Sequence, residues 1–147
     1  MQKDMAVIAY QNGVEGLVGK VIYVAPFESL VMPLYDSSCH VGSRFQASRH
    51  EGIVEGQGSF DSPLLMRFIS KRAREDINIG DVIISSGMER SLYPPDVTIG
   101  RVSRVLDYDY EISLSVEIEG VIDFSRLEYV FVVSTRIEET PLLTIDG

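Results

Sequence analysis

The sequence predicts an all-β protein built from small antiparallel barrels. Short segments rich in valine and isoleucine follow one another along the 147 residues, and glycine, proline, asparagine or aspartate separates them. In Gly80–Gly87 and Tyr93–Val102, a strand, a proline corner and a second strand follow without room for a helix. About ten or eleven such strands without interleaved helices indicate a barrel or sandwich rather than a parallel α/β sheet.

The N-terminal half is predicted to contain a series of short strands. Met5–Tyr10 is apolar and ends at the turn Gln11–Gly13. Leu17–Val24 follows, with a β-bulge expected at Gly19 and a stop at Pro26. The strands expected next are Leu30–Leu34, a short one at His40–Val41, Phe45–Ser48 and Gly52–Glu55.

The segment Leu64–Ser70 is open to two interpretations. Ser62 and Pro63 precede it as a cap and a first helical residue, and basic residues follow it, which favours an amphipathic helix. In a strand, alternate apolar residues from Leu64 to Phe68 would share one face. From the residue pattern alone, we expect a helix.

The C-terminal half has the clearest strand patterns. Val82–Ser85 follows a Gly-Asp turn, and Val97–Val102 follows a Pro-Pro corner. In Glu111–Glu119, the apolar residues from Ile112 to Ile118 alternate with charged residues or serine, so one face should be buried. The remaining expectations are a helical turn capped by Asp123, a final strand at Tyr129–Val133 and a flexible tail at 137–147.

Composition and charge exclude several classes of function. The chain carries 13 lysines and arginines against 22 aspartates and glutamates, which gives a net charge of −9. Because this charge opposes binding to nucleic acid and to anionic lipid, we expect neither nucleic-acid binding nor direct membrane contact. The single cysteine, Cys39, cannot form an internal disulfide. No apolar run approaches the roughly 20 residues that span a bilayer, and no signal peptide is recognisable.

Candidate metal ligands occur around the one cysteine. Cys39 and His40 are adjacent, and Asp36, His50 and Glu51 lie nearby in the sequence. Zinc sites need three or four converging ligands, whereas adjacent strand residues point to opposite faces. We therefore expect no metal site.

A serine hydrolase on a protease-like barrel is the alternative from another class of function. His40 or His50, Asp61, and Ser85 or Ser86 occur in the chain order of that triad. The serines lack a glycine-rich oxyanion turn, so we expect them to cap a turn, and we expect no catalytic residue. A barrel that binds a small ligand is the third hypothesis for the function of this chain.

We expect no cofactor.

Three further patterns have structural explanations. Gly52, Gly56 and Gly58 lack the lysine of a phosphate-binding loop and fit hairpin geometry better. The acidic run Asp107–Glu119 lacks calcium-loop spacing and fits a solvated strand face. Aromatic residues near turns are candidates for partner binding, with core burial as the alternative for each: Phe27, Tyr35, Tyr93, Tyr108 and Tyr110.

Five motifs follow in order: Gly16–Val21, Gly52–Gly56, Ile79–Gly87, Tyr93–Val102 and Asp123–Val130. Together they resemble the extracytoplasmic part of the bacterial rod-shape-determining MreC family. The Gly-Asp-strand-Ser-Gly, Tyr-Pro-Pro and Gly-Arg-Val series is the specific part. The chain departs from the family at Tyr93, where phenylalanine is commoner, and at Pro95-Asp96, which replaces Pro-Gly.

The resemblance implies an architecture. Members carry a cytoplasmic tail, a membrane-spanning helix, a coiled coil and two small β-barrels. It implies that Leu64–Ser70 is a strand. It also implies two antiparallel six-stranded-type barrels, the first at 15–77 and inserted, and the second at 1–14 plus 78–136, similar to a chymotrypsin-like barrel without a triad. The positions expected to shape turns and close approaches are Gly16, Gly19, Gly52, Gly56, Gly80, Asp81, Gly87, Pro94 and Gly100.

The resemblance also implies a function. Such a chain would be a non-enzymatic scaffold of the cell-elongation machinery that helps to maintain rod shape. It would bind peptidoglycan synthases (penicillin-binding proteins) and other rod-shape membrane proteins. We expect it at the periplasmic face of the inner membrane, anchored by a transmembrane helix absent from this chain, with self-association in the full-length protein.

Overall fold

The computed structural model describes residues 4–87 and 93–133. In these residues the strands are β1 (Ala6–Gln11), β2 (Val14–Val24), β3 (Ser29–Pro33), β4 (His40–Phe45), β5 (Glu51–Glu55), β6 (Leu64–Ile69), β7 (Val82–Ser85), β8 (Thr98–Leu106), β9 (Leu114–Gly120) and β10 (Phe131–Val133). The helical elements of the described part are two 3-10 helices, Lys71–Asp76 and Phe124–Arg126. The predicted all-β class is confirmed, and the tail predicted at 137–147 lies outside the described residues.

Six of the strands close into an antiparallel barrel. Their order is β4-β5-β6-β9-β8-β7, and β7 pairs back with β4. Val41 lies opposite Val54, Val54 opposite Met66, and Met66 opposite Val116. All four side chains are fully buried. The apolar residues that alternate along the strands therefore fill the barrel interior, as closure of a small barrel requires.

The other four strands form an antiparallel layer beside the barrel. Their order is β10-β1-β2-β3. The layer joins the barrel through a short parallel contact between β2 and β8, where Gly16 lies opposite Thr98. Within the layer, the backbone amide of Leu34, just after β3, donates to the carbonyl of Val18 in β2 at 2.7 Å.

β1 is buried on both of its faces. Ala6 and Ile8 pack into the large core that fills the barrel. Val7 and Ala9 point the other way, into a smaller core that Ile122 helps to complete. Because successive side chains of a strand point to opposite faces, a strand between two cores must be apolar without alternation.

A β-bulge in β2 keeps both cores filled. The pairing with β1 passes from Gly19 opposite Val7 to Leu17 opposite Ile8, so Val18 is skipped. Leu17 belongs to the large core, whereas Val18 belongs to the smaller one. The bulge predicted at Gly19 is present one residue away, at Val18.

The strand pairing crosses the boundary expected between residues 77 and 78. β4 pairs with β7 and β6 pairs with β9, so segments from both sides of the boundary share one closed ring. The layer likewise combines β2 and β3 with β1 and β10. Among the described residues, the strands form the closed barrel and the four-stranded layer, and the division into domains at 15–77 and at 1–14 plus 78–136 stays a prediction.

Leu64–Ile69 is a strand, so the helix expected there from residue pattern is wrong and the strand implied by the resemblance is confirmed. Met66 and Ile69 are buried on either side of an irregularity in the pairing with β9. Phe68 sits at this irregularity with a φ of 63°. The basic residues Lys71, Arg72 and Arg74 belong instead to the following 3-10 helix, and the cap of that helix is Ser70 rather than Ser62.

The boundaries of β4 and β9 differ from the prediction in a way that changes which residues are buried. β4 ends at Phe45, where the amide of Arg49 donates to its carbonyl, so the strand expected at Phe45–Ser48 is wrong. β9 begins at Leu114, and the preceding Ile112 is 97% exposed. The inward position expected for Ile112 is therefore wrong.

The turn after β9 is held at Asp123. Its carboxylate accepts hydrogen bonds from the amide and the hydroxyl of Ser125, at 3.1 and 2.6 Å. The side chain of Gln11 donates to the Asp123 carbonyl at 3.0 Å and accepts from the Asp123 amide at 2.7 Å. The single capped turn predicted here is confirmed.

Replacing Gly100 by alanine should destabilise the barrel, with Gly120→Ala as a matched control on the paired strand. A Cβ on Gly100 would overlap the carbonyl oxygen of Glu119, whereas one on Gly120 would find its nearest atom at 3.8 Å. We expect Gly100→Ala to lower the free energy of unfolding by about 1–3 kcal/mol and Gly120→Ala to change it by less than about 0.5 kcal/mol. Urea denaturation measures both, and equal effects would contradict this close packing.

Candidate interaction surfaces

The glycines of the family motifs lie where the backbone approaches other atoms closely or turns sharply. A Cβ would come within 3.0 Å of a neighbouring atom at Gly16, Gly19, Gly52, Gly56 and Gly100. At Gly19 it would overlap the carbonyl oxygen of Met32 in β3. Gly80 and Gly87 have φ values of 93° and 63°, in turns that flank β7. These glycines therefore set distances within the fold.

Two polar side chains hold the turns around β7. The Ser85 hydroxyl donates to the Pro94 carbonyl at 2.6 Å and accepts from the Val97 amide at 2.9 Å. Ser85 is fully buried, and the turn-capping role predicted for it is confirmed. At the other end of β7, the Asp81 carboxylate accepts from the Asn78 amide at 2.8 Å.

Each histidine contacts a carboxylate. His50 Nε2 lies 2.9 Å from Asp76 Oδ2, and His40 Nε2 lies 3.7 Å from Glu55 Oε2. In the described hydrogen bonds, neither histidine contacts a serine hydroxyl. The residues of the triad that the hydrolase alternative requires are therefore not brought together in the described part of the chain. Within residues 4–87 and 93–133, no three potential metal-binding side chains come together.

Tyr93 and Cys39 form a buried contact. Tyr93 is 5% exposed, and its hydroxyl lies 3.5 Å from the Cys39 sulfur. Burial raises the pKa of the Cys39 thiol and of the Tyr93 phenol, so both groups stay protonated at neutral pH. Partner binding and core burial were the two interpretations of Tyr93. Its position favours core burial, because the side chain is out of reach of a partner.

The other aromatic candidates are more accessible. Phe27 is 99% exposed, and Tyr110 is 79% exposed. The rings of Tyr108 and Tyr110 stack with centroids 5.4 Å apart in the loop between β8 and β9. Tyr35 is half-buried, and its ring meets the ring of Phe124 edge to face at 4.9 Å.

The acidic run between β8 and β9 is partly neutralised by ion pairs. Asp107 lies 3.5 Å from the Lys71 ammonium and 3.7 Å from the Arg74 guanidinium. Glu117 lies 3.9 Å from Arg104. Exposed pairs of this kind contribute little to stability, and their spread over a loop and a strand agrees with a solvated surface.

The β2–β3 hairpin carries an exposed apolar surface of which sequence reasoning singled out Phe27 alone. We call residues 22–31 the hairpin arm. Its exposed apolar residues are Ile22, Tyr23, Val24, Phe27, Leu30 and Val31. Ile22, Tyr23 and Val24 are consecutive, so both faces of the arm are apolar and open to solvent. The sequence signal for this surface is the pair of strands on either side of the Pro26 turn in which apolar residues do not alternate with polar ones.

Two smaller exposed groups lie elsewhere. Phe68 is 58% exposed and lines a shallow pocket together with Ile112. Tyr10 meets Phe131 edge to face at 5.6 Å, near Tyr129. Isolated exposed apolar residues are common on protein surfaces, so the continuous arm is the stronger candidate.

The fold and these surfaces define a small β-barrel module whose exposed features suit binding to other proteins. In the described part of the chain, no helix is long and apolar enough to cross a membrane. The family model described as "Rod shape-determining protein MreC, barrel core" matches residues 1–134. The chain belongs to this MreC family, as its motifs indicated.

Relatives that carry the name MreC support this family membership. The chain is 28% identical to the cell shape-determining protein MreC of Geobacillus stearothermophilus and to that of Bacillus subtilis, over 92% of this chain and 48% of each relative. It is 28% identical to MreC of Cereibacter sphaeroides, over 82% of this chain and 37% of that protein. The chain therefore spans less than half of these relatives.

Solved structures share the fold. MreC from Pseudomonas aeruginosa superposes with a TM-score of 0.79 at 23% identity, covering 90% of this chain and 80% of that one. A chain in the complex between penicillin-binding protein PBP2 and MreC from Helicobacter pylori superposes with a TM-score of 0.67 at 19% identity, covering 90% and 79%. At these identities the similarity shows the fold alone.

A fluorophosphonate probe should leave Ser85 and Ser86 unlabelled in the folded protein. Ser85 is fully buried and Ser86 is 7% exposed, and the Ser85 hydroxyl is bonded to backbone groups. Mass spectrometry of proteolytic fragments measures the labelling, with an active serine protease as the positive control. A labelled Ser85 or Ser86 would favour the hydrolase alternative.

Proposed function

We propose that this chain is the partner-binding barrel region of a non-enzymatic cell-shape scaffold. In this role it binds a peptidoglycan synthase of the penicillin-binding class and helps to direct wall growth in rod-shaped cells. Membership of the MreC family supports the proposal, and so does the described complex of PBP2 with a relative from Helicobacter pylori. The observation that carries it is the hairpin arm.

The arm exposes apolar area that a partner would remove from water. Phe27 is 99% exposed at its tip, and Leu30 and Tyr23 are each more than half exposed. A two-stranded hairpin with no covered face is marginally stable in water, and continuous exposed apolar patches mark interaction sites. Large apolar side chains such as Phe27 are suited to act as anchors in a partner's pocket.

The backbone of the arm offers a second means of recognition. Among the described strands, β3 pairs with β2 alone. Its outer edge therefore presents free amide and carbonyl groups between Ser29 and Met32. An extended segment of a partner can add to such an edge as a further strand, while Leu30 and Val31 contribute side-chain contacts.

The proposal includes a location and further partners. One similar structure is described as the major periplasmic domain of the cell shape-determining filament MreC. We place this chain likewise at the periplasmic face of the inner membrane, anchored by a helix of the full-length protein. Other rod-shape membrane proteins and further copies of the full-length protein complete the proposed set of partners.

Polar substitutions in the arm should weaken synthase binding. The test uses the Phe27→Ser/Leu30→Ser double variant and, as a control, Ile79→Ser, which changes an equally apolar residue that is 66% exposed outside the arm. We expect the double variant to raise the dissociation constant at least about tenfold, and the control to leave it unchanged. Titration calorimetry measures binding to the purified extracytoplasmic region of the same organism's penicillin-binding protein 2.

The outcomes separate the parts of the proposal. Circular dichroism first checks that each variant is folded. A double variant that binds as tightly as the wild type would contradict the assignment to the arm. A wild-type chain that does not bind the synthase would contradict the synthase as partner.

A further inference from the structure

A cleft of about 580 Å³ lies between the barrel and the four-stranded layer. Its floor is apolar and consists of Leu17 and Leu34 from the layer side, Ile99 from β8 and Leu64 from β6. Each of these four residues is at most 6% exposed. The volume falls within the roughly 300–1,000 Å³ typical of ligand pockets.

One side of the cleft is aromatic. The Tyr35 ring meets Phe124 edge to face at 4.9 Å and Phe60 at 6.0 Å. All three rings line the cleft, and Phe60 is 53% exposed. Edge-to-face contacts of this kind stabilise the relative orientation of the rings.

Hydrogen bonds hold the aromatic side in place. Phe124 begins the 3-10 helix that Asp123 caps, and the Gln11 side chain fastens Asp123 through two hydrogen bonds. The amide of Gly58 donates to the Tyr35 carbonyl at 2.8 Å. The cleft is thus supported by segments that are distant in sequence.

The charged lining of the cleft is entirely acidic. Its charged members are Asp61, Glu119 and Asp123, and no lysine or arginine lines it among the residues that the structure describes. Arg101 lies opposite Glu119 in the ladder, but its guanidinium donates to the Gly80 carbonyl at 3.2 Å. The described lining therefore carries negative charge that no lysine or arginine of the lining neutralises.

The three carboxylates differ in their surroundings. Asp61 and Glu119 make no ion pair with any described residue. Asp123 accepts hydrogen bonds from Ser125, which lower the pKa of its carboxyl, with a smaller contribution from Arg126. Arg126 lines a different pocket, beside Tyr10. The lowered pKa keeps the Asp123 carboxylate ionised at neutral pH.

We propose that this cleft binds an extended segment of a partner protein that carries an arginine. The guanidinium lies over the rings of Tyr35 and Phe60 and pairs with the carboxylates, while apolar neighbours in the segment cover the floor. A planar guanidinium stacks on aromatic faces and forms paired hydrogen bonds to carboxylates. The apolar floor is what favours a peptide over a small free cation.

This site is independent of the proposed synthase binding. The cleft includes Leu17, near the beginning of β2, whereas the hairpin arm begins at Ile22 and continues beyond the end of that strand. A partner can therefore occupy one surface without the other, and each is tested separately.

The test is an NMR titration of the labelled chain with three probes. They are the blocked tripeptide acetyl-Leu-Arg-Leu-amide, its citrulline counterpart, which is neutral and similar in shape, and arginine amide alone. We expect the arginine peptide to bind at least about fivefold more tightly than the citrulline peptide, because only it carries the charge. Its shifts should concentrate in residues 60–64 and 119–124, and binding should weaken at about 0.5 M salt.

Two variants and a control locate the site. Glu119→Gln removes one carboxylate, and Phe60→Leu removes a ring while keeping apolar bulk. Each should weaken binding of the arginine peptide about threefold or more. Asp109→Asn removes the same charge from an exposed loop outside the cleft and should leave binding unchanged. Amide spectra verify that every variant is folded.

Several results would overturn the inference. They are equal affinity for the arginine and citrulline peptides, shifts located away from the cleft, and arginine amide binding as tightly as the peptide. The absence of a saturable shift at about 10 mM peptide would overturn it as well. An unchanged affinity in Glu119→Gln would contradict the proposed pairing of the guanidinium with the Glu119 carboxylate.

Discussion

The burial of β1 between two cores is the constraint on which the rest of the structure depends. Ala6 and Ile8 fill one core, and Val7 and Ala9 fill the other. A slip of one residue would exchange the two sets, because the side-chain period of a strand is two. The bulge at Val18 adjusts β2 to the same requirement. Register here is therefore fixed by packing on both sides.

The same arrangement positions both interaction surfaces. β2 meets β8 at one point only, Gly16 opposite Thr98, and the cleft lies in the space where the layer and the barrel separate. Past Val21, β2 leaves the smaller core, and from Ile22 onwards its side chains are exposed. One long strand thus connects the floor of the cleft to the hairpin arm, which explains how the two proposed binding surfaces are kept apart in a domain of this size.

Residue types that are often catalytic serve structural purposes here. Ser85 holds a turn, and the buried Ser43 hydroxyl donates to the Gly52 carbonyl at 3.1 Å. Buried hydroxyls need partners, and for Ser43 and Ser85 the barrel supplies them from its own backbone. The proposed recognition uses side chains on the outside of the fold instead. This division agrees with a family whose members are named for cell shape.

Sequence alone determined the features that depend on local order. Glycine and proline corners located most strands, alternation identified the buried face from Leu114 to Ile118, and Asp123 was recognised as a cap. Only the tertiary structure decided that Leu64–Ile69 is a strand, because pairing with β5 and β9 outweighs its helical pattern. It also decided that Tyr93 is buried while Phe27 is exposed, and it assembled the cleft from segments far apart in the chain. A local pattern shows which residues can be buried, whereas the contacts between distant strands determine which of them are.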